Sequence, residues 1–206
     1  MEASSFWQII GEYNLATFRI QIILLATLTG SVAIAYLKRK GWVCKSVLAV
    51  INLFIAFGFF LIHGTEPIQK YFALPLFIGT GVLLLFDAWK NPNDEMQKPS
   101  AWQWVFFTLF LAYPLVSLAC GHSWPQMVTH IMPCPVITIT LSLYASYKKK
   151  NTILLALLTI WGLTGVKAII FAAYEDLILL AAGIYGVILI IENISMKCNR
   201  KPLTRT

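Results

Sequence analysis

The chain is a series of long apolar runs separated by short polar segments. Seven such runs occur, at residues 17–37, 43–63, 71–89, 101–120, 127–147, 152–173 and 177–191. A helix rises about 1.5 Å per residue, so a run of about 20 residues crosses the ~30 Å hydrocarbon core of a bilayer. The pattern therefore predicts an all-α fold. We expect one domain over residues 1–206, a polytopic bundle of seven transmembrane helices.

The first sixteen residues have a mixed character and precede the first run. Phe6 and Trp7 among them predict only a short interfacial helix. No basic residue occurs before Arg19, so this end lacks the positive region of a signal peptide, and we expect it to be retained.

The composition supports a membrane protein. Of the 206 residues, 58% are hydrophobic and 12% are charged, and the mean hydropathy is +0.73. A soluble domain carries about 25% charged residues. The formal net charge of +7 comes from short basic clusters between the apolar runs. We interpret these clusters as topology signals, so the expected partner is the lipid bilayer and not nucleic acid.

Lysine and arginine are distributed unevenly between alternate loops. One side holds Lys38, Arg39, Lys40, Lys45, Lys90, Lys98, Lys148, Lys149, Lys150, Lys197, Arg200, Lys201 and Arg205. The other side holds only Arg19, Lys70 and Lys167. Positive residues remain in the cytoplasm, so we expect the N-terminus outside and the C-terminus in the cytoplasm. Asp87, near the inner boundary, is expected to be solvated.

Residues 117–136 concentrate cysteine, histidine, methionine and proline in a chain that is otherwise mostly hydrocarbon. The predicted topology puts this segment at the outer end of the bundle. The candidate ligand residues are Cys134, His130, His122 and Cys120. The expected electrostatic rim around them is Glu175, Asp176, Lys167, Glu66 and His63.

The sequence Pro133-Cys134-Pro135 is the sharpest local feature of this segment. Each proline lacks a backbone donor and disfavours a helical predecessor, so we predict that the helix begins at Pro135. Residues 135–147 then span about 20 Å, less than the ~30 Å core. The segment from Trp124 to Cys134 must therefore complete the crossing as non-helical backbone, which is tolerated only where it lines a cavity or is buried in protein.

Two geometries for this segment remain open. A helix that begins at Pro135 puts the Cys134 thiol at its N-terminus, where the helix dipole favours thiolate. A helix that continues through a kink instead aligns His130, Cys134 and Thr138 on one stripe. Either geometry directs Cys134 into the bundle.

The same residues allow several kinds of chemistry. Cys120, His122, His130 and Cys134 are soft ligands suited to Zn or Cu, although their spacing is not diagnostic. Met127 and Met132 would add thioether ligands for Cu(I).

Two alternatives give these cysteines a purely structural role. Cys120 and Cys134 on the oxidising side would form a disulfide, or Cys134 would be a small buried hydrophobe. Lys167 lies inside a membrane helix, where a charge is costly and usually paired, so we expect an ion pair with Glu175, Asp176 or Glu66.

The chain resembles a bacterial family of integral membrane proteins, domain of unknown function number 6064, over nearly its whole length. The resemblance rests on Tyr13-Asn14, Tyr113-Pro114, Gly121-His122 followed by Pro125, Pro133-Cys134-Pro135 with Thr138 and Thr140, and Glu175-Asp176-Leu177. It implies a multi-pass protein of the bacterial inner membrane and points to the Gly-His and Pro-Cys-Pro block. It implies no chemistry.

Three functions are consistent with these observations. The first is binding or translocation of a small solute or a soft metal ion at an outward-facing Cys/His site. The second is a membrane-embedded enzyme that uses the Cys134 thiol, with His130 or His122 as its base. The third is a structural partner subunit without chemistry. The sequence has no ATP-binding loop or dinucleotide fingerprint, so any transport would be passive or ion-coupled.

Overall fold

The computed structural model describes residues 3–168, 170 and 173–199. Parts of two predictions lie outside the described residues: the end of the sixth apolar run, at residues 169, 171 and 172, and the basic tail from residue 200 onward.

Seven helices follow one another through the described part of the chain, as the apolar pattern predicts. They are α1 (Ala3–Leu37), α2 (Gly41–Phe54), α3 (Leu74–Lys90), α4 (Ala101–Ala119), α5 (Pro133–Ala145), α6 (Thr152–Leu163) and α7 (Leu177–Asn199). Wider π-helical turns extend α2 through Ile55–His63 and lead into α3 at Gln69–Ala73. Two short 3₁₀ turns, Thr164–Ala168 and Tyr174–Asp176, lie between α6 and α7. The all-α fold is confirmed.

Five helical segments are long and apolar enough to cross a membrane. They are Ser5–Leu37, Gly41–His63, Gln69–Lys90, Ala101–Ala119 and Tyr174–Lys197. Many large apolar side chains point away from the bundle, among them Ile23 on α1 and Leu115 on α4. A soluble monomer rarely exposes such contiguous apolar surface. These features indicate a membrane protein, and the sides on which the two termini lie stay a prediction.

The start of the chain differs from the prediction. Residues 3–16 do not form a separate interfacial helix, because α1 is one continuous helix of 35 residues. Trp7, Ile10 and Tyr13 are buried against the rest of the bundle. On the outer face of the same turns, the Gln8 side chain donates to Glu12 at 3.0 Å. The mixed composition of this stretch is therefore the pattern of a helix with one buried face.

Helix α5 occupies the centre of the bundle, where it packs against α2, α4, α6 and α7. Every residue from Pro135 to Tyr144 is buried. Its 13 residues span only about 20 Å, so α5 is shorter than the hydrocarbon core, as predicted. The helix begins at Pro133 and not at Pro135. Both prolines fit because the N–H groups of a first helical turn have no intrahelical partner.

The end of the bundle predicted to be cytoplasmic contains a buried ion cluster. Lys45 Nζ lies 2.7 Å from Asp87 Oδ2 and 2.9 Å from Asp94 Oδ2, and the Lys45 side chain has no exposure. The Tyr147 ring lies 4.2 Å from the same ammonium group, and the Tyr144 hydroxyl donates to Asp87 at 3.2 Å. The prediction that Asp87 is solvated is wrong, because Lys45 enters the bundle and pairs with it.

Two glycines let α6 and α7 approach closely. A Cβ atom on Gly183 would lie 2.5 Å from the carbonyl carbon of Gly162 and 2.6 Å from the Leu163 nitrogen. Small residues at such a contact allow van der Waals packing between backbones in membrane helices. Gly30 on α1 is the opposite case, because a Cβ atom there would meet nothing within 4 Å.

Gly183→Ala is expected to lower the free energy of unfolding by about 1–3 kcal/mol, because the added methyl group forces the two backbones apart. Gly30→Ala is the matched control and should raise that free energy by up to about 1 kcal/mol through its helix propensity. Denaturant unfolding of the purified protein in one detergent measures both changes. Equal effects of the two substitutions would contradict this account of the α6–α7 contact.

Candidate functional site

The end of the bundle that is predicted to face outward is built around the irregular segment of residues 121–132, which links α4 to α5. It starts at Gly121, whose φ of +96° lies in the left-handed region that favours glycine. The His122 N–H then donates to the Ser117 carbonyl at 3.1 Å, which closes the end of α4. This segment of non-helical backbone precedes α5, as predicted from the two prolines.

Helix α1 supplies the hydrogen bonds that this segment lacks. The Asn14 side-chain amide donates to the carbonyls of Pro125 and Met127, both at 2.8 Å. The Tyr13 hydroxyl donates to the Ile131 carbonyl at 2.7 Å. Since an unpaired carbonyl in a lipid environment costs several kcal/mol, these contacts allow the segment to lie at the bundle core.

The network extends along one stripe of α1. The Thr129 hydroxyl donates to Gln21 Oε1 at 2.6 Å and lies 3.1 Å from Asn14 Oδ1. Gln21 donates in turn to Asn14 Oδ1 and to Thr17 Oγ1. Sequence reasoning missed this stripe. The available signal was the occurrence of Tyr13, Thr17 and Gln21 at every fourth position of an apolar helix.

Glu175 is fully buried behind this segment. Its Oε1 accepts from the Ser117 hydroxyl at 2.7 Å, and the Ser117 oxygen accepts from the Val128 N–H at 3.0 Å. His122 Nδ1 lies 3.3 Å from the same carboxylate oxygen but is not aligned as a hydrogen bond. The His122 ring stacks on Trp7 with a centroid separation of 3.5 Å. Within the described residues, Glu175 Oε2 has no hydrogen-bond partner.

Asp176 joins α4, α5 and the turn before α7. Its Oδ1 accepts from the Tyr113 hydroxyl at 3.0 Å, and its Oδ2 accepts from the Cys134 thiol at 3.2 Å. Cys134 is therefore held in the first turn of α5 by a carboxylate and not by a histidine.

A cavity of about 220 Å³ lies next to the Cys134–Asp176 pair. Its walls are mostly apolar and include Phe59, Phe60, Phe72, Met132 and Trp161. Its polar lining includes Glu66, Gln69, Thr164 and Lys167. Among the residues that the structure describes, the buried indole N–H of Trp161 makes no hydrogen bond of good geometry, although the Cys134 thiol is close enough to interact with it.

The predicted electrostatic rim is only partly assembled. Asp176, Lys167 and Glu66 line one cavity. Within the described chain, Lys167 has no carboxylate within 4.0 Å, so the predicted ion pair with Glu175, Asp176 or Glu66 is wrong. His63 lies apart from the cavity lining, and its Nδ1 is 2.7 Å from the Gly58 carbonyl oxygen.

Neither His122 nor His130 forms a hydrogen bond with Cys134. His130 Nε2 lies 3.3 Å from the Leu111 carbonyl oxygen, and its ring packs edge-on against Phe110 at 5.1 Å. The His122 side chain lies against the Glu175 carboxylate and stacks on the Trp7 ring. Neither histidine is hydrogen-bonded to the Cys134 thiol, so a role of His130 or His122 as its base stays a prediction that this geometry does not support.

The cysteines and histidines of this end form neither a disulfide nor a group of metal ligands. Cys120 and Cys134 are both free thiols, so the predicted disulfide is wrong. In the described ranges, no three histidine, cysteine or acidic side chains converge as a metal site would require. Cys120, His122, His130 and Cys134 therefore do not form the Zn or Cu site that their ligand types allow.

Comparison with known proteins gives one family match. A family model described as "Family of unknown function (DUF6064)" matches residues 3–200, which include all seven helices. No curated protein and no solved structure matches the chain.

Asn14→Leu is expected to release residues 121–132 from α1, because two carbonyls lose their donor. Each buried group left unpaired costs about 1–3 kcal/mol. Hydrogen–deuterium exchange of the peptide that covers residues 121–132 should become faster. Thr27→Val is the matched control, because the Thr27 hydroxyl bonds only to the Ile23 carbonyl of its own helix. Unchanged exchange in Asn14→Leu would show that this side chain does not hold the segment.

Proposed function

The chain belongs to the DUF6064 family, whose function is unknown, and we propose that it is a multi-pass bacterial inner-membrane protein that binds a small, mostly apolar solute. The binding site is the outer-end cavity beside Cys134 and Asp176. The family membership agrees with the resemblance found in the sequence, and it adds no chemistry of its own.

The lining of the cavity is the observation that carries the proposal. Ligand sites have mostly hydrophobic and aromatic walls with a few polar groups that orient the ligand. Phe59, Phe60 and Trp161 supply such walls here, and Cys134 and Lys167 supply polar groups. The volume of about 220 Å³ lies below the usual range of about 300–1,000 Å³. The solute is therefore small, of the size of a single ring with one polar substituent.

The unpaired donors near the cavity support a polar substituent on the solute. The Trp161 indole N–H makes no hydrogen bond of good geometry in the described part of the protein, and the nearby Cys134 thiol is only a weak acceptor. Lys167 also lines the cavity without a carboxylate within salt-bridge distance there. A hydroxyl or carbonyl oxygen on the solute would satisfy these donors.

Binding is favoured over translocation by the packing of the other end. The Lys45 side chain is fully buried between Asp87 and Asp94, and Tyr144 and Tyr147 cover it. A solute that crossed the bundle would have to displace this cluster. Thiol catalysis is not proposed, because neither His122 nor His130 is a hydrogen-bond partner of Cys134.

The orientation in the membrane is part of the proposal. Lys38, Lys90, Lys148 and Lys197 flank helix ends on one side of the bundle. The tryptophans of that side, among them Trp89 at 79% exposure, face away from the protein as interfacial residues do. The positive-inside rule then assigns this side to the cytoplasm and the Cys134 cavity to the outside.

Occupation of the cavity is expected to protect Cys134 from alkylation. Benzyl alcohol, a single ring with one hydroxyl group, should slow the reaction of Cys134 with N-ethylmaleimide in the purified protein. The rate falls with the occupied fraction, about tenfold at ten times the dissociation constant. Mass spectrometry of the peptides measures the rate, and Cys120, which does not line the cavity, is the internal control.

Two variants distinguish binding of benzyl alcohol in the cavity from a general effect of benzyl alcohol on the protein or the detergent. Ala73→Leu adds bulk to the cavity lining and should remove the protection of Cys134. Ala26→Leu adds the same bulk on the exposed face of α1 and should leave the protection intact. Protection that is equal for Cys120 and Cys134, or that survives in Ala73→Leu, would overturn the proposed site.

The orientation is tested with Cys120. Partial desolvation, with the nearby Glu175, raises the pKa of the Cys120 thiol above its usual value near 9. The reactive thiolate is therefore scarce at pH 7, and labelling should keep rising between pH 7 and pH 9. A membrane-impermeant maleimide at pH 9 should label Cys120 in intact spheroplasts.

The control for orientation sits at the other end of the bundle. Lys148→Cys in a Cys120→Ser, Cys134→Ser, Cys198→Ser background should be labelled only after the membrane is permeabilised, because Lys148 is exposed on the predicted cytoplasmic side. The reverse pattern would invert the proposed topology. Because that result leaves the benzyl alcohol experiment unaffected, the two parts of the proposal can fail separately.

A further inference from the structure

A second cavity, of about 360 Å³, lies at the opposite end of the bundle from Cys134. Its walls are the end of α3, the loop between α3 and α4, and the link between α5 and α6. Lys90, Lys148 and Lys149 line it. Its volume falls in the range of about 300–1,000 Å³ that is common for ligand sites.

The loop that forms this cavity is fixed to the bundle. Asp94 is bound to the buried Lys45 ammonium group at 2.9 Å. The Gln97 N–H donates to the Ser146 carbonyl at 2.8 Å, and Met96 pairs with Tyr147 in an isolated antiparallel bridge. The cavity therefore keeps its shape without a ligand, which lowers the entropy cost of binding.

The charge balance of the cavity is positive. Two carboxylates belong to its lining, and each is already paired with a cation that does not line it. Asp94 pairs with Lys45, and Glu95 lies 3.6 Å from Arg39. In the described part of the chain, Lys90, Lys148 and Lys149 have no carboxylate within 4.0 Å. Because Lys45 is shared between Asp87 and Asp94, that cluster keeps one net negative charge, and the three lysines leave the cavity with a net charge of about +2. The Lys90 ammonium group also lies 5.6 Å from the Phe86 ring.

We propose that this cavity binds a phosphate group. Lysine binds phosphate as a point charge, and three lysines around one cavity match a group that carries one or two negative charges. The exposed Trp89 next to Lys90 is typical of the level of lipid headgroups. The phosphate comes either from the headgroup of an anionic phospholipid or from a soluble phosphate compound, and basic pockets at this level of a membrane protein bind such headgroups.

The alternative explanation is that these lysines act only as topology signals. The positive-inside rule depends on how many lysines and arginines flank the helices and not on which cavity they line. Lys38 and Lys40 lie at the same end of the bundle, are exposed, and do not line the cavity. They supply a matched charge control.

The test uses the full-length protein in detergent, depleted of lipid, with phosphatidylglycerol and phosphatidylcholine as the lipid probes. Native mass spectrometry titrations give the dissociation constant of each lipid. Phosphatidylglycerol should bind more tightly than phosphatidylcholine. K148Q/K149Q should weaken phosphatidylglycerol binding by about tenfold or more, since each surface lysine contributes strongly to the attraction of anionic lipid. K38Q/K40Q, with the same loss of charge, should change it by less than about twofold.

Competition by inorganic phosphate shows whether the bound phosphate group belongs to a lipid headgroup or to a soluble phosphate compound. If millimolar phosphate does not displace phosphatidylglycerol and K148Q/K149Q binds it weakly, the ligand is a lipid headgroup. If phosphate displaces the lipid from the native protein but not from K148Q/K149Q, the ligand is a soluble phosphate compound. Equal weakening in the two double variants, or equal affinity for the two lipids, would overturn the proposed site. Both double variants replace exposed side chains, so folding is preserved.

Discussion

The carbonyl groups of residues 121–131 lie outside any helix, and this end of the bundle depends on the α1 side chains that donate hydrogen bonds to three of them. Asn14 donates to two of these carbonyls and Tyr13 to a third. In water such groups would be solvated, so the network would contribute little. Inside an apolar bundle the same groups have no alternative partner, and their pairing fixes the path of the chain.

The position of the cavity follows from this constraint. Because α5 begins only at Pro133, the bundle has no central helix in the half that contains residues 121–132. The irregular segment fills part of that space, and the cavity beside Cys134 occupies another part. The two prolines decide where the helix can begin, and α1 decides where the preceding chain can lie. Neither condition alone would place a thiol, a carboxylate and an apolar cavity together.

The sequence predicts the helices well because each is a local pattern. A long apolar run, a basic cluster at its end and a proline pair can each be read without knowledge of the rest of the chain. The contacts of the polar residues cannot be predicted from local patterns of this kind. Lys45 pairs with Asp87 and Asp94, both at least forty residues later in the chain, and nothing near Lys45 indicates them. The histidines illustrate the same limit, since His130 reached the predicted end of the bundle but packs against a backbone carbonyl there.

Buried charges are compensated differently at the two ends of the bundle. At the end with the basic clusters, one buried ammonium group meets two carboxylates directly, and ions paired in this way leave little for a ligand to satisfy. At the other end, Asp176 is held by neutral donors, the hydroxyl of Tyr113 and the thiol of Cys134. A solute could take the place of these donors only by supplying hydrogen bonds of its own, because a hydrogen bond to a charged group contributes about 1.5–3 kcal/mol net. Of these two buried charge clusters, the one at Asp176 is therefore the one that a small solute can contact without breaking an ion pair.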